Sequence, residues 1–116
     1  MLSNTGINKI ILLGQIDKEP HLNTFSDRGK FLCFTLVTNE IIKKGNDNVE
    51  HNEYHNIKIP EKLVTQEALY LAPGQTLYIE GKIQTTYFTD EMRIKRYNLE
   101  IVANKVEIVN PMPLVA

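Results

Sequence analysis

Three observations predict an all-β fold carrying a single helix. β-Branched and aromatic residues come in short runs bounded by Gly, Pro, Asn and Asp. One stretch alone, Glu61 to Leu71, carries a helical stripe. The 116 residues suffice for one compact domain and leave no room for a linker and a second core.

The first strand is expected over Ile7 to Ile16, with Gly14 where a long strand kinks or bulges. His21 to Phe25 is a shorter one, introduced by Pro20 and closed by a turn at Ser26-Asp27-Arg28-Gly29. Lys30 to Thr38 carries Phe31, Cys33, Thr35 and Val37 on one face and Leu32, Phe34 and Leu36 on the other, which predicts burial on both sides. Asn39 to Glu53 is the longest polar stretch, built around Lys43-Lys44-Gly45-Asn46-Asp47-Asn48, and reads as an exposed loop. Tyr54 to Ile59 returns to strand and ends at Pro60. Pro60 and Glu61 suit the first turn of the helix, Val64, Ala68 and Leu71 form its i, i+4, i+7 stripe, and Pro73-Gly74 stops it. Leu77 to Thr89 alternates as a strand, Asp90 and Glu91 mark a turn, and Met92 to Val102 and Lys105 to Val109 supply the last strands. Strands, one helix and more strands within residues 1–110 match a five-stranded Greek-key barrel with a helix between its third and fourth strands, the OB-fold. Residues 111–116 are a short C-terminal extension. A β-sandwich would lack the helix, and a split βαβ sheet would need a second one.

A 42% hydrophobic and 23% charged composition excludes intrinsic disorder, and a net charge of -1 excludes steering by the charge of the whole molecule. Any nucleic-acid site must therefore be a local patch. No basic segment leads into an apolar one at the N-terminus, and the longest apolar run is Ile10 to Leu13, so neither secretion nor membrane insertion is expected. The single cysteine, Cys33, can make neither an intrachain disulfide nor a Cys-x-x-Cys knuckle, which suits a reducing cytoplasm.

The catalytic inventory is thin. His51 and His55 are four apart, but on an extended chain they sit roughly 13 Å apart, too far for both to reach one zinc at about 2 Å. Cys33 lies among Phe31, Leu32 and Phe34, a setting that raises a thiol pKa and predicts an inert core residue. Asp90 and Glu91 fall at a hairpin tip, where solvent keeps both ionised. No Gly-rich phosphate loop is present. Neither enzyme activity, nor a cofactor, nor a metal is expected. Binding features are richer: Tyr54, Tyr78, Tyr87, Phe88 and Tyr97 interleave with Lys43, Lys44, Lys58, Lys82, Arg93, Lys95 and Arg96, the mixture of rings and cations that holds single-stranded nucleic acid.

The segments INKIILLGQIDKEP, FTLVTNE (Phe34 to Glu40), EYHNI (Glu53 to Ile57), YIEGKI (Tyr78 to Ile83) and YNLEIV (Tyr97 to Val102), in that order, resemble the bacterial single-stranded DNA-binding protein family from Gly6 to about Val109. The resemblance implies an OB-fold that assembles as a homotetramer and wraps single-stranded DNA without catalysis, in the cytoplasm at the nucleoid. It puts the family's base-stacking positions on Ile42, Tyr54, Pro60 and Phe88, only two of them aromatic here, with Tyr87 beside Phe88 as compensation. His55 matches a family histidine at the subunit interface. Family members commonly continue into a flexible linker and an acidic tip; this chain stops at Asn110-Pro-Met-Pro-Leu-Val-Ala116, so tail-mediated recruitment is not expected. The alternatives are a tailless OB protein resembling primosomal replication protein N, and an OB-fold adaptor between proteins.

Overall fold

The computed structural model describes residues 5–25 and 29–109; the expected turn at Ser26 to Arg28 and the extension at 111–116 lie outside them. Six strands and one helix follow in the order β1 (Ile10–Ile16), β2 (His21–Phe25), β3 (Gly29–Lys44), β4 (Asp47–Pro60), α1 (Glu61–Gln66), β5 (Thr76–Thr89) and β6 (Lys95–Val109). Neighbours run β1-β5-β6-β4-β3-β2, and β1 also pairs with β3, so β1, β5, β6, β4 and β3 close a five-stranded ring with β2 added outside β3. All pairings are antiparallel except β4 with β6. This is the expected OB barrel.

Strand alternation decides what fills it. Phe34 and Leu36 of β3, Ile57 and Ile59 of β4, Leu77 and Ile79 of β5, and Ile101, Ala103 and Val106 of β6 point inward with Ile16. Leu36, Ile57, Ile59, Leu77 and Ile79 are almost wholly enclosed, each contributing about 1.5 to 3 kcal/mol relative to exposure. Two glycines let strands approach closely. A Cβ at Gly14 would strike the Val37 carbonyl, and one at Gly81 would strike the Val102 carbonyl. Gly14 lies where β1 leaves β5, paired through Gln15 with Thr76, and meets β3 through Gln15 with Val37 and Ile16 with Leu36. Gly81 sits at a bulge, where the register against β6 steps from Lys105 to Ala103.

Four expectations are corrected. Asn39 to Glu53 is not a loop: β3 and β4 pair continuously from Phe31 with Pro60 to Lys44 with Asp47, across a two-residue turn at Gly45 and Asn46. Gly45, at φ 62°, supplies the left-handed first position such a turn needs. Side chains tie the hairpin across its strands, the Asn39 amide donating to Glu50 Oε1 and to Asn52 Oδ1, both at 2.6 Å. The helix ends at Gln66, not Leu71. Ala68 turns left-handed at φ 50°, its N–H donates to the Thr65 carbonyl, and the Leu69 N–H donates to the Val64 carbonyl, the paired bonds of a Schellman ending. The chain then runs extended and delivers Leu71 to the core. The last two expected strands are one, β6. Finally, β3 is buried on one face only: Phe31, Cys33, Thr35 and Val37 are half-buried on the outside, so Cys33 is no core residue.

Candidate functional site

Beyond the barrel wall β3 and β4 continue as one finger, and β5 and β6 as another. In the second, Tyr87 pairs with Tyr97 and Phe88 with Arg96 up to the turn at Asp90 to Ile94. Asp90 builds that turn. Its Oδ1 accepts the Met92 and Ile94 N–H groups, each at 2.9 Å, and its Oδ2 accepts Arg96 Nε at 3.0 Å. The Ile94 N–H and then the Arg96 guanidinium hold its carboxyl below the ordinary aspartate range.

Alternation and register sort the candidate residues onto two faces. The outer surface of β2, β3, β4, β6 and β5 is continuous. It carries His21 and Asn23, then Phe31, Cys33 and Thr35, then Tyr54, Asn56, Lys58 and Pro60, then Arg96, Asn98 and Glu100, then Lys82, Thr86 and Phe88. Tyr54 and Phe88 stand out from it, 62% and 58% exposed, so neither ring belongs to the barrel core. The same face holds a depression of about 400 Å³ that runs from His21 and Asn23 to Asn98 and Glu100. Tyr87 faces the other way, together with Tyr97 at 6.3 Å between ring centroids; Lys95 Nζ sits over both rings, 4.2 Å and 5.5 Å from their centroids.

The expected stacking set is therefore split. Tyr54, Pro60 and Phe88 share the outer face. Ile42 pairs with Val49 on the opposite side of the first finger, and it is Ile41, 71% exposed, that shares Tyr54's side. Phe31 joins the outer face unforeseen. Its register opposite Pro60 was the missing signal, since sequence alone did not pair those strands.

The cations divide likewise. Lys58, expected as a phosphate partner, is 6% exposed and ion-paired with Glu100, itself 5% exposed, with its ammonium 5.7 Å from the Phe31 ring centroid. Glu100 Oε1 also accepts Thr86 Oγ1 at 3.2 Å and Asn98 Nδ2 at 2.9 Å. Arg93, Lys95 and Arg96 belong to the second finger with Asp90 and Glu91, and Lys82 lies below them on the barrel wall opposite Val102, whereas Lys43 and Lys44 share the first finger with Glu40, Asp47, Glu50 and Glu53. The basic surface is thus on the second finger. Arg96 reaches it with its Nε already held by Asp90.

His55 is half-buried at the barrel rim, its Nε2 2.9 Å from Thr38 Oγ1, and His51 Nε2 lies 2.7 Å from Glu53 Oε1. Burial pushes the Cys33 thiol above its ordinary value, partly countered by a hydrogen bond from Asn23. Among the described residues no group of three or more His, Cys, Asp or Glu side chains could hold a metal ion. No helix of the described residues is long and apolar enough to cross a membrane.

The family model for single-strand binding proteins matches residues 7–109, from just before β1 to the end of β6. The chain belongs to this family. A protein named single-stranded DNA-binding protein from Bacteroides thetaiotaomicron is 31% identical over 108 residues, covering 90% of this chain and 67% of that one. Two solved structures share the fold. A Plasmodium falciparum SSB in complex with ssDNA superposes with a TM-score of 0.75 at 24% identity, covering 93% of this chain and 97% of that one. A deletion mutant of the single-stranded DNA binding protein from Thermus aquaticus gives 0.72 at 16% identity, over 92% of this chain and 52% of the other. The fragments from INKII to YNLEIV that pointed to this family all fall inside the matched span.

Proposed function

We propose that this chain binds single-stranded DNA along the outer face of β2, β3, β4, β6 and β5, as a binding protein without turnover. The observation that carries the reading is the pair of exposed rings, Tyr54 and Phe88, on one sheet face beside the basic second finger. Every base has a π-face, so stacking tolerates sequence, and cations along the same surface meet the phosphates. Pro60 and Phe31 extend the apolar floor without requiring Ile42. Titration with a poly-dT strand, read by tyrosine fluorescence, tests this; saturable binding that duplex DNA does not compete away supports it, and equal competition by duplex defeats it. An adaptor between proteins would bind neither.

Assembly into a homo-oligomer is part of the same reading. Ile11 and Leu13 project from β1, 56% and 58% exposed, opposite Glu80 and Tyr78, and give a second copy an apolar strip to cover. His55 at the rim, beside the wholly buried Leu36, gives a second place for subunits to meet. Sedimentation of the wild type, Leu13→Asp and His55→Tyr separates these surfaces: the variant that lowers the mass marks the interface, an oligomer unchanged in both defeats the two surfaces, and a single-subunit mass for the wild type defeats the assembly.

A further inference from the structure

Asn8 stands two residues before β1, beyond the point where the ladder between β1 and β5 ends at Ile10 with Gly81. It nevertheless pairs with β5. Its Nδ2 donates to the Ile83 carbonyl at 2.7 Å, and its Oδ1 accepts the Ile83 N–H at 3.0 Å. The two backbone groups fix which way the amide faces, since only its NH2 can donate and only its oxygen can accept. Together the bonds copy the exchange between directly opposed residues of an antiparallel pair, with a side chain in place of backbone, at a sequence separation of 75 residues.

That place is the root of the second finger. Ile83 pairs with Ile101, Ile101 with Ile57 and Ile57 with Phe34, one row across the sheet. From this row toward the tip, β5 and β6 pair only with each other. The two edges of the root are held unequally. On the side of the first finger, β6 is tied to β4 by the stitch at Ile101 and Val102 and by the ion pair of Glu100 with Lys58. On the far side, the Asn8 pair is the last hydrogen-bonded tie to β5 among the described residues. Just behind it lies the bulge at Gly81, where the strand bends most easily. Without Asn8 the finger pivots on its inner stitch. Phe88 stands five residues beyond Ile83, roughly 17 Å at about 3.3 Å per residue, so a tilt of ~10° at the root carries its ring ~3 Å relative to Tyr54.

We infer that Asn8 is a positioning residue for strand binding: its amide pins the root of the second finger and thereby sets the span between the Tyr54 and Phe88 rings. The inference rests on the strand-binding reading and deepens it. Asn8 sits on the edge of β5 that faces away from the first finger, so its removal reaches the strand through Phe88.

The test is a double-mutant cycle. Affinity for a poly-dT strand, amide hydrogen exchange and a thermal melt are measured on the wild type, Asn8→Ala, Phe88→Ala and the double variant. Expected are a severalfold weaker affinity in Asn8→Ala with a barely shifted melt, lost protection of the Ile83 amide with the barrel amides protected as before, and no further loss of affinity when Asn8→Ala is added to Phe88→Ala. Asn8→Asp, whose carboxylate accepts the Ile83 N–H but cannot donate to the carbonyl, carries the same cycle should Asn8→Ala not fold. An equal fold-loss in both backgrounds makes Asn8 a general staple of the chain and overturns the inference. Unchanged affinity after Ile83 has lost its protection overturns it too, as does protection that survives Asn8→Ala. A wild type that does not bind poly-dT sinks the strand reading and takes the inference with it, a result distinct from all of these.

Discussion

The Lys58 ammonium and the Glu100 carboxylate meet on the outside of the barrel, yet their side chains are only 8% and 7% exposed. Each is a lone charge inside an apolar run, Ile57-Lys58-Ile59 and Leu99-Glu100-Ile101. They lie on adjacent parallel strands, where Ile57 faces Ile101 and Lys58 faces Val102. Removing either one leaves the other a buried charge without its ion-pair partner. Glu100→Ala and Lys58→Ala are each expected to cost about 3 to 5 kcal/mol in stability, whereas Lys58→Met combined with Glu100→Leu should be near neutral or stabilising. Urea unfolding of the three variants checks this, and single substitutions as mild as the double would show the pair to be hydrated.

Phe88 and Tyr87 are neighbours in sequence but face opposite sides of the second finger. Phe88→Ala is expected to lose about 1 to 3 kcal/mol of affinity for a poly-dT strand with little change in melting temperature, and Tyr54→Ala to behave alike. Tyr87→Ala, whose ring packs with Tyr97 and Lys95, should leave that affinity nearly unchanged. A larger loss from Tyr87→Ala than from Phe88→Ala would move the strand to the other face.

Salt dependence should report the second finger. Each phosphate that the protein ceases to neutralise flattens the slope of log affinity against log salt by about 0.7 on a single strand. Lys82→Gln and Arg93→Gln are expected to flatten it by about that much each, while Lys43→Gln, on a finger with four carboxylates, should change it less. Affinities measured across a salt series decide whether the first finger carries phosphate at all.

Asp90 makes the second finger sensitive to acid. Its pKa is lowered in the folded chain, so its support of the turn is complete above the ordinary aspartate pKa and disappears as pH falls through the lower, folded value. Asp90→Ala should lower the protection of the Met92 and Ile94 amides, relative to their intrinsic exchange rates, at neutral pH to what the wild type shows only in acid, with the barrel amides unaffected. Protection retained at both amides would mean that the turn stands without its carboxylate.

The barrel was legible because its strands carry one apolar face each, so the alternation in Leu77 to Gly81 and the run at Ile57 to Ile59 survive translation into burial. The finger of β3 and β4 was not, because both of its faces meet solvent and no contrast of period two is left from Asn39 to Glu53. Its one sign was Gly45-Asn46, a two-residue hairpin turn between extended runs. The helix was overdrawn for a related reason: Val64, Ala68 and Leu71 have helical spacing, but Leu71 reaches the core from extended chain after Ala68 reverses it. Tyr54 and Phe88 were readable as candidates from their motifs. Their common face, the placement of Ile42 on the other side of its finger and the pairing of Lys58 with Glu100 follow from strand register.

Two long hairpins, β3 with β4 and β5 with β6, are joined by very short stitches: Gln15 and Ile16 against Val37 and Leu36, and Ile57 and Lys58 against Ile101 and Val102. Hairpins are local and form within microseconds, whereas the stitch between β4 and β6 must first close a long stretch of chain. The ring is therefore expected to close last, from ribbons already formed, with the side chains packed inside it as the main tie across the short stitches. Where the stitch at Gly14 parts, the circle becomes a linear sheet with bare strand edges, which another copy can capture. A single methyl group at Gly14, driven into the Val37 carbonyl, is enough to favour that outcome.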